Sequence, residues 1–151
     1  MKRKLLNLLL FILLLISLGC STSTNVETES NWIVPTPNVG KGVVYGQLLN
    51  ALSGKPVGGM PFLAKNLSYK DLDMPATISF SLQYDPRAIY DKKTGSFYFQ
   101  GIEPAENYVI VLSYGPGDIY TVRDEGQNYP IMIDVKMDQS IDLGTIPVKE
   151  P

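Results

Sequence analysis

The feature that most restricts this chain is a rhythm of short apolar runs after residue 41. No window there places apolar side chains at i, i+3 and i+4 over ten residues, so no amphipathic helix is encoded. Runs rich in Val, Ile, Tyr and Phe alternate instead with clusters of Gly, Pro, Asn and Asp. They fall at 43–49, 62–67, 77–84, 88–90, 96–100, 108–114, 119–122, 131–135 and 141–148. Many short strands joined by turn residues predict an all-β fold, a β-sandwich of about seven to nine strands over 42–149.

The register is legible in places. Phe97 and Phe99 share one face of their strand, and Tyr98 and Gln100 share the other. Tyr108, Ile110 and Leu112 form a second apolar face, from which Val109 points away. The segment Asp91-Lys92-Lys93-Thr94-Gly95 predicts a hairpin loop, with the Asp91 side chain accepting from amides ahead of it and Gly95 at positive φ. In "NALSGKPVGGMPF", residues 50–62, Asn50 and Ser53 are expected to bond turn amides and Gly54 to be left-handed. Gly46 and Gly59 would permit close approach where a Cβ would collide. Val44, Leu48, Val57, Met60 and Phe62 would fill the core beneath this turn.

The pattern Val44, Gly46, Leu48, Asn50, Ser53-Gly54, Pro56-Val57, Gly59-Met60 and Phe62 resembles the opening signature of carboxypeptidase regulatory-like domains. Asp91, Gly95, Phe97, Phe99 and Tyr108 stand where that family has its second signature. The resemblance covers roughly 42–122 and implies a transthyretin-like (prealbumin-like) sandwich. The stretch 65–87 is longer than the family's usual link, and "EPAEN" replaces the Pro-Gly that commonly precedes the later Tyr.

The N-terminus predicts location. Lys2, Arg3 and Lys4 precede an apolar run that closes on Ser17-Leu18-Gly19-Cys20. This reads as a secretory signal over 1–19, because the run is too short for a membrane span. Its ending resembles a bacterial lipobox, which makes Cys20, the chain's one cysteine, the expected lipidation site. Acylation would remove the odd thiol that an exported protein would otherwise carry. Residues 20–41 are dominated by Ser, Thr, Asn, Glu and Pro and predict a flexible tether. Trp32, Ile33 and Val34 interrupt it as a segment docked on the domain edge or an exposed contact patch.

The chemistry that remains is sparse. Histidine is absent, which excludes His-based acid–base catalysis and His metal sites. The hydrolase branch of the resembled fold depends on histidines, so no catalytic residue and no cofactor is expected. Glu103 and Glu106 read as solvated carboxylates in a polar turn. Asp71, Asp73 and Asp85 are a weak calcium set, matching no loop motif. Thirteen basic residues face fifteen acidic ones, and three of the basic ones belong to the signal. The acidic remainder argues against nucleic acid or an anionic membrane surface as the electrostatic partner.

Tyrosine and arginine suit interfaces. Tyr84, Arg87, Tyr114, Tyr120 and Arg123 are therefore the candidate binding residues, with the 65–87 insert and the 114–130 loop expected to form one edge. The functional expectation is a non-enzymatic, lipid-anchored cell-envelope domain that recognises a ligand, glycan or partner protein. The alternative is a structural lipoprotein subunit of an envelope or secretion assembly.

Overall fold

The computed structural model describes residues 32–68, 76–123 and 129–150. Cys20, Asp71 and Asp73 lie outside the described residues, as do the signal and most of the expected tether. The described residues contain no helix and form nine strands: β1 (Gly42–Asn50), β2 (Met60–Asn66), β3 (Ile78–Ser79), β4 (Ile89–Tyr90), β5 (Ser96–Ile102), β6 (Ala105–Gly115), β7 (Asp118–Thr121), β8 (Ile133–Val135) and β9 (Ser140–Val148). The fold is all-β.

One sheet has the order β4-β5-β1-β9, and the other β3-β2-β6-β7 with β8 also on β6. All pairings are antiparallel except β1 with β9. The main core lies between the sheets. Val44 and Leu48 of β1, Phe97, Phe99 and Ile102 of β5, and Ile146 and Val148 of β9 meet Leu63 of β2 and Tyr108, Ile110 and Leu112 of β6. Phe97 and Phe99 pack edge to face, ring centroids 5.6 Å apart, the arrangement that the ring quadrupole favours.

The turns form as their residues dictate. Asn50 Oδ1 accepts from the Leu52 and Ser53 amides at 3.0 and 2.9 Å. The Gly54 amide donates to the Asn50 carbonyl, and Gly54 is left-handed at φ 65°. Between β4 and β5, Asp91 Oδ1 accepts from the Lys93 amide, and Oδ2 from the Thr94 hydroxyl. A Cβ on Gly46 would lie 2.8 Å from the Gly144 carbonyl oxygen; one on Gly59 would lie 2.9 Å from the Tyr114 ring. Backbone is the tight neighbour at the first position and an aromatic ring at the second.

The insert departs from expectation. Of 77–84, only Ile78 and Ser79 pair with β2. The chain then turns outward, with the Asp85 amide donating to the Ser81 carbonyl and Asp85 Oδ2 accepting from the Ser81 amide. It returns to β2 at Pro86–Ala88, where Leu63 N donates to Pro86 O and Ala88 N to Pro61 O. Pro86 has no amide to give, which suits an edge. The next residues, Ile89 and Tyr90, pair with β5 of the other sheet. Residues 76–90 thus form a broken edge strand that crosses from one sheet to the other.

It also covers a second apolar layer. Ala64, Val109 and Val111 are fully buried on the outer face of the β2–β6 sheet, against Ile78, Phe80 and Met132. Phe62 faces this layer, in T-shaped contact with Phe80 at 5.4 Å. The expectation that Phe62 fills the core beneath the first turn is therefore corrected: the strand alternation that sends Leu63 inward sends Phe62 outward.

Contacts with the sheets extend to residues before 42. Trp32 packs on Tyr98 at 5.4 Å between ring centroids, while Ile33 is 79% exposed. The Gly40 amide donates to Asp138 Oδ1, the Asp138 amide donates to the Lys41 carbonyl, and Lys41 pairs with Glu103. Residues 32–41 are held against the sheets by these contacts.

Candidate functional site

Strand direction separates the two ends of the molecule. One end carries the Asn50–Lys55 turn, the Asp91–Gly95 loop and the β6–β7 hairpin. The other carries the insert, the β5–β6 connection and residues 38–41. At this second end lies a cleft of about 370 Å³ lined by residues of β2, the insert, the β5–β6 connection and β6. Its volume is at the lower end of the range for small-ligand sites.

Leu63, Ile102 and Tyr108 form the buried floor, and Lys65, Tyr84 and Glu103 stand at the exposed rim. Lys65 follows Leu63 by two residues on β2, so it shares the inward face but reaches the mouth. It is paired in register with Tyr108 of β6, and its ammonium lies 5.4 Å from the Tyr108 ring centroid. That geometry is a cation–π contact. No carboxylate among the described residues pairs with Lys65.

Tyr108 also closes the β5–β6 connection, its hydroxyl donating to the Glu103 carbonyl at 3.0 Å. Burial, then the Glu103 and Asp85 carboxylates, push its phenol above the ordinary value, so it remains a neutral donor. Glu103 shares its carboxylate with Lys41. Asp85 spends Oδ2 on the Ser81 amide, leaving Oδ1 with no hydrogen bond among the described residues. Tyr84 is 80% exposed and Leu67 62% exposed.

The five candidate binding residues are divided. Tyr84 lines the cleft, and the exposed Arg87 bridges β2 at Phe62 on the same edge. Tyr114 lies at the far end of β6 from Tyr108, and Tyr120 and Arg123 lie on or just after β7, the edge opposite β3. Tyr114 and Tyr120 stack edge to face at 5.5 Å, and Arg123 bridges Pro130. The single binding edge is thereby corrected: β2 and β6 intervene between the two segments. Of the calcium set, Asp85 is within the described residues, among which no cluster of three metal-ligating side chains occurs.

Sequence reasoning missed Lys65 and Tyr108 as site residues. The signal was a lysine ending the apolar run "MPFLAKN". A charged side chain on an inward-facing position belongs at a mouth. Compared with known proteins, the chain matches no family model, no curated protein and no solved structure. No helix among the described residues is long and apolar enough to cross a membrane.

Proposed function

We propose that this protein is a non-enzymatic, lipid-anchored domain of the cell envelope that binds a ligand in the cleft between the insert and the β5–β6 connection. The observation that carries the reading is the cleft itself, whose described lining includes an ammonium with no ion partner among the described residues, a carboxylate with one oxygen bonded, and an exposed tyrosine, above buried Leu63 and Ile102. Such a mixture of apolar wall and few polar groups is what small-ligand sites use for affinity and orientation. Cys20 supplies the anchor, and the polar residues after it supply reach.

The same reading takes the sandwich as carboxypeptidase regulatory-like, that is, transthyretin-like. Support comes from both signature turns, which carry the side-chain hydrogen bonds their residues predict.

Two experiments test the proposal. Cys20→Ala should move the protein from the membrane fraction to the soluble fraction of expressing cells; membrane retention refutes the anchor. A fragment screen by NMR on the purified full-length chain should shift resonances of Leu63, Lys65 and Tyr108. Shifts confined to the β6–β7 hairpin would place the site elsewhere.

A further inference from the structure

Among the described residues, the charges lining the cleft are Lys65, Asp85 and Glu103, and Glu103 is taken by Lys41, which leaves one cation against one anion. An anionic ligand drawn to Lys65 would meet Asp85 and Glu103, and a cationic one would meet Lys65. Balanced charge selects neither. It suits a neutral ligand that needs donors and acceptors side by side. The Lys65 ammonium offers protons, and Asp85 Oδ1 offers lone pairs.

The tyrosines add shape. Tyr84 holds a large ring in solvent at the rim, and Leu67, which also lines the cleft, is exposed too. Leu63 and Ile102 lie beneath, fully buried, so the apolar surface a ligand meets is that of Tyr84 and Leu67. A ligand that fits must carry an apolar face for a flat ring and a polar edge for the ammonium and carboxylate. A pyranose does, because its axial C–H bonds make one face apolar while its hydroxyls ring the edge. Each hydroxyl both donates and accepts, so two neighbouring ones can satisfy Lys65 and Asp85 together.

From these observations we infer that the cleft is a glycan site for one end or branch of a neutral sugar chain. Tyr84 stacks on the sugar's C–H face, and Lys65 and Asp85 take adjacent hydroxyls. This rests on the cleft being the binding site, as proposed above, and adds the ligand's class.

The test is saturation-transfer NMR on the full-length chain. The probes are neutral methyl glycosides of glucose, galactose, mannose and N-acetylglucosamine, with methyl glucuronide and a short peptide as contrasts. At least one neutral glycoside should receive saturation, most strongly at its ring C–H protons. Tyr84→Ala, Lys65→Met and Asp85→Asn should each weaken it about tenfold or more. Asp85→Asn keeps an acceptor for the Ser81 amide, so the turn should survive and the loss is read at the ligand. Unchanged glycoside binding in Tyr84→Ala overturns the inference, as does a preference for the glucuronide or the peptide. If fragments shift Leu63 and Tyr108 while no neutral glycoside binds, the ligand class fails and the binding site stands. If no probe perturbs those residues, both fail.

Discussion

The turn end and the cleft end of this molecule spend their polar groups differently. At the turn end the side chains of Asn50, Asp91, Tyr90 and Glu150 are committed to the fold, although Lys55, Lys92 and Lys93 pair with no carboxylate among the described residues. Asn50 closes its own turn, Asp91 closes the next, and the Tyr90 hydroxyl donates to the Val57 carbonyl at 2.7 Å. Glu150 ties three segments together by accepting from the Gly58 amide, the Asn50 side-chain amide and the Tyr114 hydroxyl. At the cleft end Lys65 has no ion partner among the described residues, Asp85 keeps a free oxygen, and Tyr84 stands in water. Groups that the fold does not use are the ones available to a ligand. The contrast yields an ordered set of stability effects, from the shared core outward.

The largest effect belongs to the core that both ends share. Phe97 is fully buried between the sheets, so Phe97→Ala should cost about 3–5 kcal/mol. Denaturant unfolding of the full chain measures it. A loss comparable to that of a surface substitution would mean the sheets do not meet at Phe97.

Next comes Gly46→Ala. The new Cβ would lie 2.8 Å from the Gly144 carbonyl oxygen, in the neighbouring strand β9, and backbone yields less readily than a side-chain tip. A cost of about 1–3 kcal/mol is expected, read as a lowered midpoint of unfolding. A neutral result would mean that β1 and β9 can separate without penalty.

How much of this was legible in the sequence depends on whether a feature is local. Asn50, Ser53, Gly54 and the Asp91 loop carry their own instructions, because turn chemistry acts within a few residues. The face shared by Phe97 and Phe99 was legible for the same reason. The second apolar layer was not read, although its sign is present. Tyr108 to Leu112 are buried without a break, and a strand buried on both faces shows a continuous apolar run rather than alternation. What covers the outer face, Phe80 and Met132, comes from distant segments, and no period in the sequence announces that meeting. The Glu150 contacts to Asn50 and Gly58 join residues 100 and 92 positions apart, which pattern reading cannot pair. The cleft is the least legible part. It needs Lys65, Tyr84 and Glu103 together, and only the sheet order brings them there.

Glu150 provides a smaller effect that also depends on pH. Burial works to raise its pKa, but the hydrogen bonds from Tyr114, Gly58 and Asn50 outweigh it and hold the carboxyl below its ordinary value. A depressed folded-state pKa contributes stability at neutral pH, and that contribution disappears as pH falls through the folded-state value. Glu150→Gln should therefore cost about 1 kcal/mol at neutral pH and flatten the acid limb of the stability profile. Tyr90 gives the alkaline counterpart. Burial, then Glu150 and Asp91, push its phenol up to about 12, so its contribution is whole below pH 10 and fades as pH rises toward 12. Phenolate absorbance should show Tyr90→Phe removing one late-titrating tyrosine. If Glu150→Gln leaves the acid limb unchanged, the carboxylate is not a tie.

The smallest stability effect should come from the cleft, and its smallness is informative. Tyr84 is 80% exposed, and its hydroxyl makes no hydrogen bond among the described residues. Truncation removes little buried surface and leaves no polar group stranded, so Tyr84→Ala should change stability by no more than about 0.5 kcal/mol. Lys65→Met keeps the aliphatic stem over Tyr108 and should lose only the cation–π contact, worth about 0.5–1 kcal/mol at an exposed site. Paired thermal melts against Glu150→Gln make the comparison directly. If Tyr84→Ala melts as low as Glu150→Gln, the rim is holding the insert in place and the contrast between the two ends collapses. If Tyr84→Ala melts with the wild type and Lys65→Met loses no more than its cation–π contact while glycoside binding falls, the exposed ring and the ammonium serve the ligand more than the fold.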